Sequence, residues 1–186
     1  MTIFEIQIKM PQMKKIVFLV LVFCSSAVFC QYNNDDRMQT SLVQLNQTAP
    51  EFSFTNSDGK KANLSDYKGK VILINFFATW CGPCMVEMPF LQTEIWDKHK
   101  DNPNFVLLSL GRDHSQEEIN KFIEKKKFSF PIYADKGKAV YALFATQYIP
   151  RNYLIDKSGK VVYASTGFST DEFEDLKKTI IKLLKK

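Results

Sequence analysis

The sequence is poor in the residues that build metal centres. It has two histidines, His99 and His114, and four cysteines in 186 residues. A structural zinc site needs four nitrogen or sulfur ligands at workable spacing. The two histidines fall on different predicted elements, so no metal site is expected, and no cofactor motif is present. Both histidines are expected at the surface. The cysteines do not form a disulfide framework either. Cys24 and Cys30 lie in or beside an apolar N-terminal stretch, and only Cys81 and Cys84 belong to the body. Charge of one sign is lacking too. The formal net charge is +5, and Lys9, Lys14, Lys15 and Glu5 precede residue 31, so the remainder carries +3. The densest basic run, Lys125-Lys126-Lys127, closes a helical pattern and reads as a solvated helix end. With no basic stripe and no aromatic nucleic-acid motif, binding to nucleic acid is not expected. There is no internal repeat, no low-complexity tract and no apolar run of the ~20 residues that span a bilayer.

What is present begins with an address. Lys14-Lys15 is followed by Ile16 to Phe23 and a weaker apolar tail through Phe29. A charged n-region before an apolar h-region reads as an export signal over residues 1–30, with Met13 as an alternative start. An uncleaved anchor is the competing reading, and lipidation at Cys30 a lesser one, since Phe29 is bulky where a lipoprotein signal carries a small residue. Each reading puts the body outside the cytoplasm, in the periplasm or cell envelope, where a disulfide persists. Residues 31–47 are polar and read as a linker, with a short strand at Ser41 to Leu45. The domain is expected over residues 48–186.

Within the domain the pattern alternates. Phe52-Ser53-Phe54 and Ala62-Asn63-Leu64 flank the turn signal Asn56-Ser57-Asp58-Gly59 and predict a hairpin. Val71 to Phe77 is a continuous apolar run with Asn75 as its one polar member, which predicts a strand buried on both faces. A helical pattern runs from Cys84 to about His99, with Cys84, Met88, Leu91 and Ile95 on one face and Pro89 expected to kink it. Phe105 to Leu110 reads as a second buried strand. Ser115 with Glu118 opens a helix as a capping box. A short extended piece at Phe130 to Tyr133 and a brief helix at Ala139 to Phe144 follow. A strand from Asn152 to Ile155 turns at Asp156 to Lys160 into Val161 to Ser165. The last helix buries Phe173, Leu176, Ile180 and Leu183. This order predicts an α/β fold with a central mixed sheet flanked by helices.

The chemistry concentrates at Trp80-Cys81-Gly82-Pro83-Cys84, where the buried strand gives way to the helix. A Cys-x-x-Cys at such a junction reads as a redox pair. The thiolate is the nucleophile of disulfide exchange, and a helix N-terminus stabilises that anion. The spacing lets one thiol resolve the mixed disulfide formed by the other. An inert disulfide and half a zinc site are the competing readings. Glu87 is a candidate for tuning thiol acidity, though a Glu in the first turn of a helix is favourable for dipole reasons alone.

The pentapeptide resembles that of the thioredoxin superfamily. More narrowly, the chain is similar to the TlpA/ResA-like extracytoplasmic thiol-disulfide oxidoreductases. That likeness rests on the signal segment, Ala49-Pro50-Glu51-Phe52 with Leu64 to Lys70, Glu87 with Pro89, and the extra helix after Ser115. It implies a thioredoxin fold with an N-terminal hairpin extension and an inserted helix. It also implies Cys81 as the exposed attacking thiol, Cys84 as the buried resolving thiol, and Pro150 as a cis-proline beside the pair. Ile149 would offer backbone groups to an extended substrate, Trp80 would shield the pair and touch substrate, and Glu87 would tune the thiols. The implied activity is reduction of extracytoplasmic protein disulfides by a monomer. Apo-cytochrome c is a candidate substrate and a membrane thiol reductase the electron donor. One departure stands out: the buried Asp of cytoplasmic thioredoxins is replaced by Asn75. Arg151, bulkier than the Thr often found after the proline, is expected to bear on substrate choice. A peroxiredoxin-like peroxidase is the alternative enzyme, but Ala78 stands where that group has Thr or Ser. A non-catalytic interaction domain is the alternative outside enzymology.

Overall fold

The computed structural model describes residues 37–56 and 58–186. The export signal, the alternative start at Met13 and Cys30 lie outside the described residues.

The sheet is built on β3 (Val71–Phe77), every residue of which is buried. On one side it pairs in parallel with β4 (Phe105–Arg112), which pairs in parallel with β5 (Ile132–Asp135). On the other it pairs antiparallel with β6 (Arg151–Ile155), which turns into β7 (Val161–Thr166). The spatial order is β5-β4-β3-β6-β7. A separate hairpin pairs β1 (Ser53–Thr55) with β2 (Lys61–Asn63).

The period-2 alternation of a strand divides the core in two. Val71, Leu73 and Phe77 face one apolar cluster, with Leu107 and Leu154 from the neighbouring strands. That cluster is closed by α1 (Gly82–Phe90), α2 (Gln116–Lys126) and α4 (Thr170–Leu184). They contribute Cys84 and Met88, Ile119 and Phe122, and Phe173, Leu176 and Ile180. Ile72, Ile74 and Phe76 face the opposite cluster, with Phe52, Phe54, Leu64 and Val43. That face is covered by the hairpin, a 3-10 turn at Leu64–Tyr67, and the short α3 (Tyr141–Phe144). A fully buried Leu, Ile or Phe contributes about 1.5–3 kcal/mol, so both faces hold the strand strongly.

Two readings gain detail. Pro89, expected to kink its helix, is followed by a change of helical register. The chain stays helical through Phe90 and widens into a π-helical stretch, Leu91–Trp96, before a final turn at Asp97–His99. Proline lacks the N–H of the regular ladder, and a wider turn re-registers the bonds beyond it. Residues 41–45 form no strand. Ser41 bridges to Ala145 and Thr48 to Lys160, and between them Asn46 turns the chain at φ 68°. The stretch read as a linker is nonetheless tied down, because Ser41 and Val43 are buried.

Candidate active site

The turn from β3 into α1 places the redox pair. Cys81 N–H donates to the Ala78 carbonyl at 3.1 Å, closing a turn over Thr79 and Trp80. Cys81 is then the N-cap of α1, with Pro83 in the first turn, and its sulfur accepts from the Cys84 N–H at 3.2 Å. A sulfur in that position meets the orphan N–H groups and positive end of the helix, which favours the thiolate. Cys81 and Cys84 are joined in a disulfide. Only 5% of Cys81 and none of Cys84 is exposed, so the expected contrast of open and closed cysteines is reduced to a narrow edge at Cys81. Beside it Trp80 is 68% exposed.

The wall of the site comes from the loop before β6. The Ile149–Pro150 peptide is cis. The Ile149 carbonyl oxygen lies 3.8 Å from Cys81 Sγ, and Ile149 is half-buried. Pro150 is buried, and its carbonyl accepts from Gly167 N–H at 2.8 Å, fixing the loop to the end of β7. Arg151, expected to bear on substrate choice, is wholly buried. Its guanidinium donates to the carbonyls of Gln147, Tyr148 and Arg37, to the Tyr153 hydroxyl, and to Thr40 Oγ1. The residue therefore fastens the cis-proline loop to residues 37–40.

Beneath the pair lies a polar row. Asn75, Ser109 and Asn152 sit at paired positions of β3, β4 and β6. Alternation turns Asn75 toward the same face as Leu73 and Phe77, which is the face α1 covers. Ser109 Oγ donates to Asn75 Oδ1 at 2.9 Å, and Asn75 Nδ2 lies 3.0 Å from Asn152 Oδ1. Both amides reach the Glu87 carboxylate, Asn75 Nδ2 to Oε2 at 2.9 Å and Asn152 Nδ2 to Oε1 at 2.6 Å. Glu87 is 1% exposed and lies beyond the first turn, so the surface-dipole reading does not apply. Burial pushes its carboxyl up to about 7, against the Asn152 and Asn75 amides that pull it down. A pocket of about 10 Å³ adjoins Glu87, lined also by Asn152, Tyr163 and Ser165. That is room for one water.

Asn152 and Ser109 were missed by reading single segments. Ser109, like Asn75, is a polar residue in an apolar run, Asn152 follows Arg151 at the start of β6, and only the pairing register shows that the three form one row. His114 was misplaced as well: it is 4% exposed and buried, whereas His99 is half-buried against the Phe105 ring.

Among the described residues no cluster of His, Cys, Asp or Glu is arranged to hold a metal.

The redoxin family model matches residues 44–180. The ResA thiol-disulfide oxidoreductase of Bacillus cereus is 33% identical over 156 residues, covering 84% of this chain and 88% of that one. The chain belongs to the redoxin family. Within it this redoxin is a thiol-disulfide oxidoreductase of the ResA kind. ResA of Bacillus subtilis is 31% identical over 66% of this chain and 68% of its own. Among solved structures, a Bacteroides thetaiotaomicron protein provisionally described as a disulfide isomerase superposes with a TM-score of 0.75 at 38% identity. It covers 79% of this redoxin and 94% of that chain. The thioredoxin domain of a Bacteroides vulgatus thiol-disulfide oxidoreductase shares the fold, with a TM-score of 0.62 at 24% identity over 74% and 99% of the two chains. The thioredoxin-type fold is thus established.

Proposed function

We propose that this redoxin reduces disulfides of extracytoplasmic proteins, with Cys81 as nucleophile and Cys84 as resolving thiol. The observation that carries this is the placement of Cys81 as N-cap of α1 beside the Ile149 carbonyl. In the reduced form the Cys81 thiolate attacks one sulfur of the substrate disulfide, forming a mixed disulfide and releasing the other sulfur as thiolate. Cys84 then attacks Cys81 Sγ, and the second substrate thiolate leaves. Two electrons pass to the substrate, each released thiolate takes up a proton, and the protein is left with the Cys81–Cys84 disulfide. The dithiol of a membrane reductase restores it. Ile149 offers backbone groups to an extended substrate, Pro150 forms the wall behind it, and Trp80 gives an aromatic contact at the rim. Glu87 supplies a carboxyl that titrates near neutrality three residues along the helix from Cys84, where it governs thiol acidity.

The apolar segment after Lys14-Lys15 supports export, as does the ResA likeness. Among the described residues no helix is long and apolar enough to cross a membrane. Apo-cytochrome c is the candidate substrate.

The test is dithiol-driven insulin reduction by the wild type and by Cys81→Ser and Cys84→Ser. Turnover is expected in the wild type alone, and turnover that survives Cys81→Ser sinks the assignment of the nucleophile. A measured Cys81–Cys84 potential near that of a strong oxidant overturns the reducing direction.

A further inference from the structure

The turn that delivers Trp80 and Cys81 leaves the N–H groups of its two central residues, Thr79 and Trp80, out of its own hydrogen bonding. Its own hydrogen bond joins Cys81 N–H to the Ala78 carbonyl, so the Thr79 N–H has no partner within the turn. Thr79 is half-buried, so its N–H is partly cut off from water and gains from a protein partner. That N–H is met from outside, by His114 Nε2 at 3.0 Å.

The surroundings of His114 suit that contact. It follows β4 across a tight bend, in which Asp113 takes φ 64° and the His114 N–H returns to the Gly111 carbonyl at 3.1 Å. The ring packs beside Phe77, with centroids 6.4 Å apart. It also lies over Gly111, where an added methyl would stand 3.3 Å from His114 Cδ2. To accept from Thr79, Nε2 must carry a lone pair, so the ring proton belongs on Nδ1. Nδ1 faces Glu118 Oε2 at 3.8 Å, too far for a hydrogen bond but near enough for the carboxylate to attract that proton. The same oxygen is held by the Ser115 N–H and hydroxyl, each at 2.8 Å. They keep the Glu118 carboxyl below its ordinary range. The capping box that starts α2 therefore aims a negative charge at the far nitrogen of the imidazole.

We propose that His114 is a positioning residue for the redox pair: through Nε2 it fixes the Thr79 amide, and with it the place at which Cys81 Sγ meets a substrate disulfide. The inference rests on thiol exchange at Cys81. It adds a residue distant in sequence from the Cys-x-x-Cys motif and contributed by the segment that opens the extra helix.

Two measurements test it. Nitrogen-15 NMR of the imidazole in the wild-type protein is expected to show the Nδ1-protonated tautomer, with Nε2 as acceptor. An Nε2-protonated ring in the folded protein overturns the proposal without any variant. The second measurement is insulin reduction by His114→Leu and His114→Gln, with thermal melting as the control for folding. Gln keeps an acceptor within reach of Thr79 and Leu does not. His114→Leu is expected to lose about tenfold in rate, since misplacing a reacting group by a fraction of an ångström carries penalties of that order. His114→Gln is expected to recover the larger part. Equal rates in the two variants, whether both slow or both like wild type, overturn the proposal. A wild type that does not turn over insulin at all condemns the catalytic reading instead, while the tautomer measurement still judges His114.

Discussion

At the scale of the residue, Glu87 makes the sharpest prediction. Its carboxyl titrates at about 7 in the folded protein against an ordinary 4.5, chiefly because burial disfavours the charge. Between those values the folded state binds more protons than the unfolded state, so stability falls as pH rises through that window and stays reduced above it. Glu87→Gln removes the titration but places an amide where two amides already donate. The variant should therefore be less stable than wild type at pH 5, and urea melts should show the gap shrinking by about 2 kcal/mol by pH 8. A gap that widens with pH contradicts the buried-carboxyl reading. Asn152→Leu deletes the donor to Glu87 Oε1 and is expected to cost about 1–3 kcal/mol. With one of the two restraining amides gone, the midpoint of the pH-dependent stability loss should move to higher pH. The pair Cys81 and Cys84 was legible from the sequence because spacing alone carries the chemistry. The ring of amides around Glu87 was not, because Asn75, Ser109 and Asn152 are brought together by strand pairing that no local pattern encodes.

At the scale of the element, the sequence was readable wherever a period or a cap dictated the outcome. The Ser115 capping box starts α2 where expected. The continuous apolar run of β3 is indeed buried on both faces. It was less readable where a long-range contact decides. Arg151 was read only as a bulky residue bearing on substrate choice, and it is a buried fastener between the cis-proline loop and residues 37–40. Nothing near it in sequence signals this, since one of its partners is more than a hundred positions away. Arg151→Met is expected to cost about 3 kcal/mol, as truncating a buried, fully hydrogen-bonded charge does. It should also speed amide exchange at Leu42, whose N–H donates to the Phe144 carbonyl. Unchanged exchange at Leu42 would show that residues 37–42 are held by Val43 and Ser41 alone.

At the scale of the whole molecule, the layered α/β architecture followed from the order of periodic segments, and its extent at the N-terminal side did not. Residues 31–47 read as a polar linker with a short strand at Ser41 to Leu45, but Val43 sits in the core and the Ser41 hydroxyl lies 2.9 Å from the Tyr153 hydroxyl. A chain shortened to begin at Thr48 should lose about 2–4 kcal/mol relative to one beginning at Asn34, through the vacated Val43 seat and the lost partners of Arg151. Equilibrium unfolding of the two chains measures the difference, and equal midpoints would return the segment to the status of a tether.

The row of Ser109, Asn75 and Asn152 also bears on how the sheet finds its alignment. Slide β3 by one residue against β4 and β6, and Asn75 turns to the aromatic side of the sheet, toward Tyr141, Phe144 and Tyr153. Ser109 would then lose its acceptor, Asn152 Oδ1 its donor, and the Glu87 carboxylate would keep only the Asn152 amide. An all-apolar centre would tolerate that slip with modest loss, whereas this one makes every shifted pairing expensive. The amides that surround the carboxyl beneath the redox pair thus also serve as an alignment mark for the three strands on which the site is built.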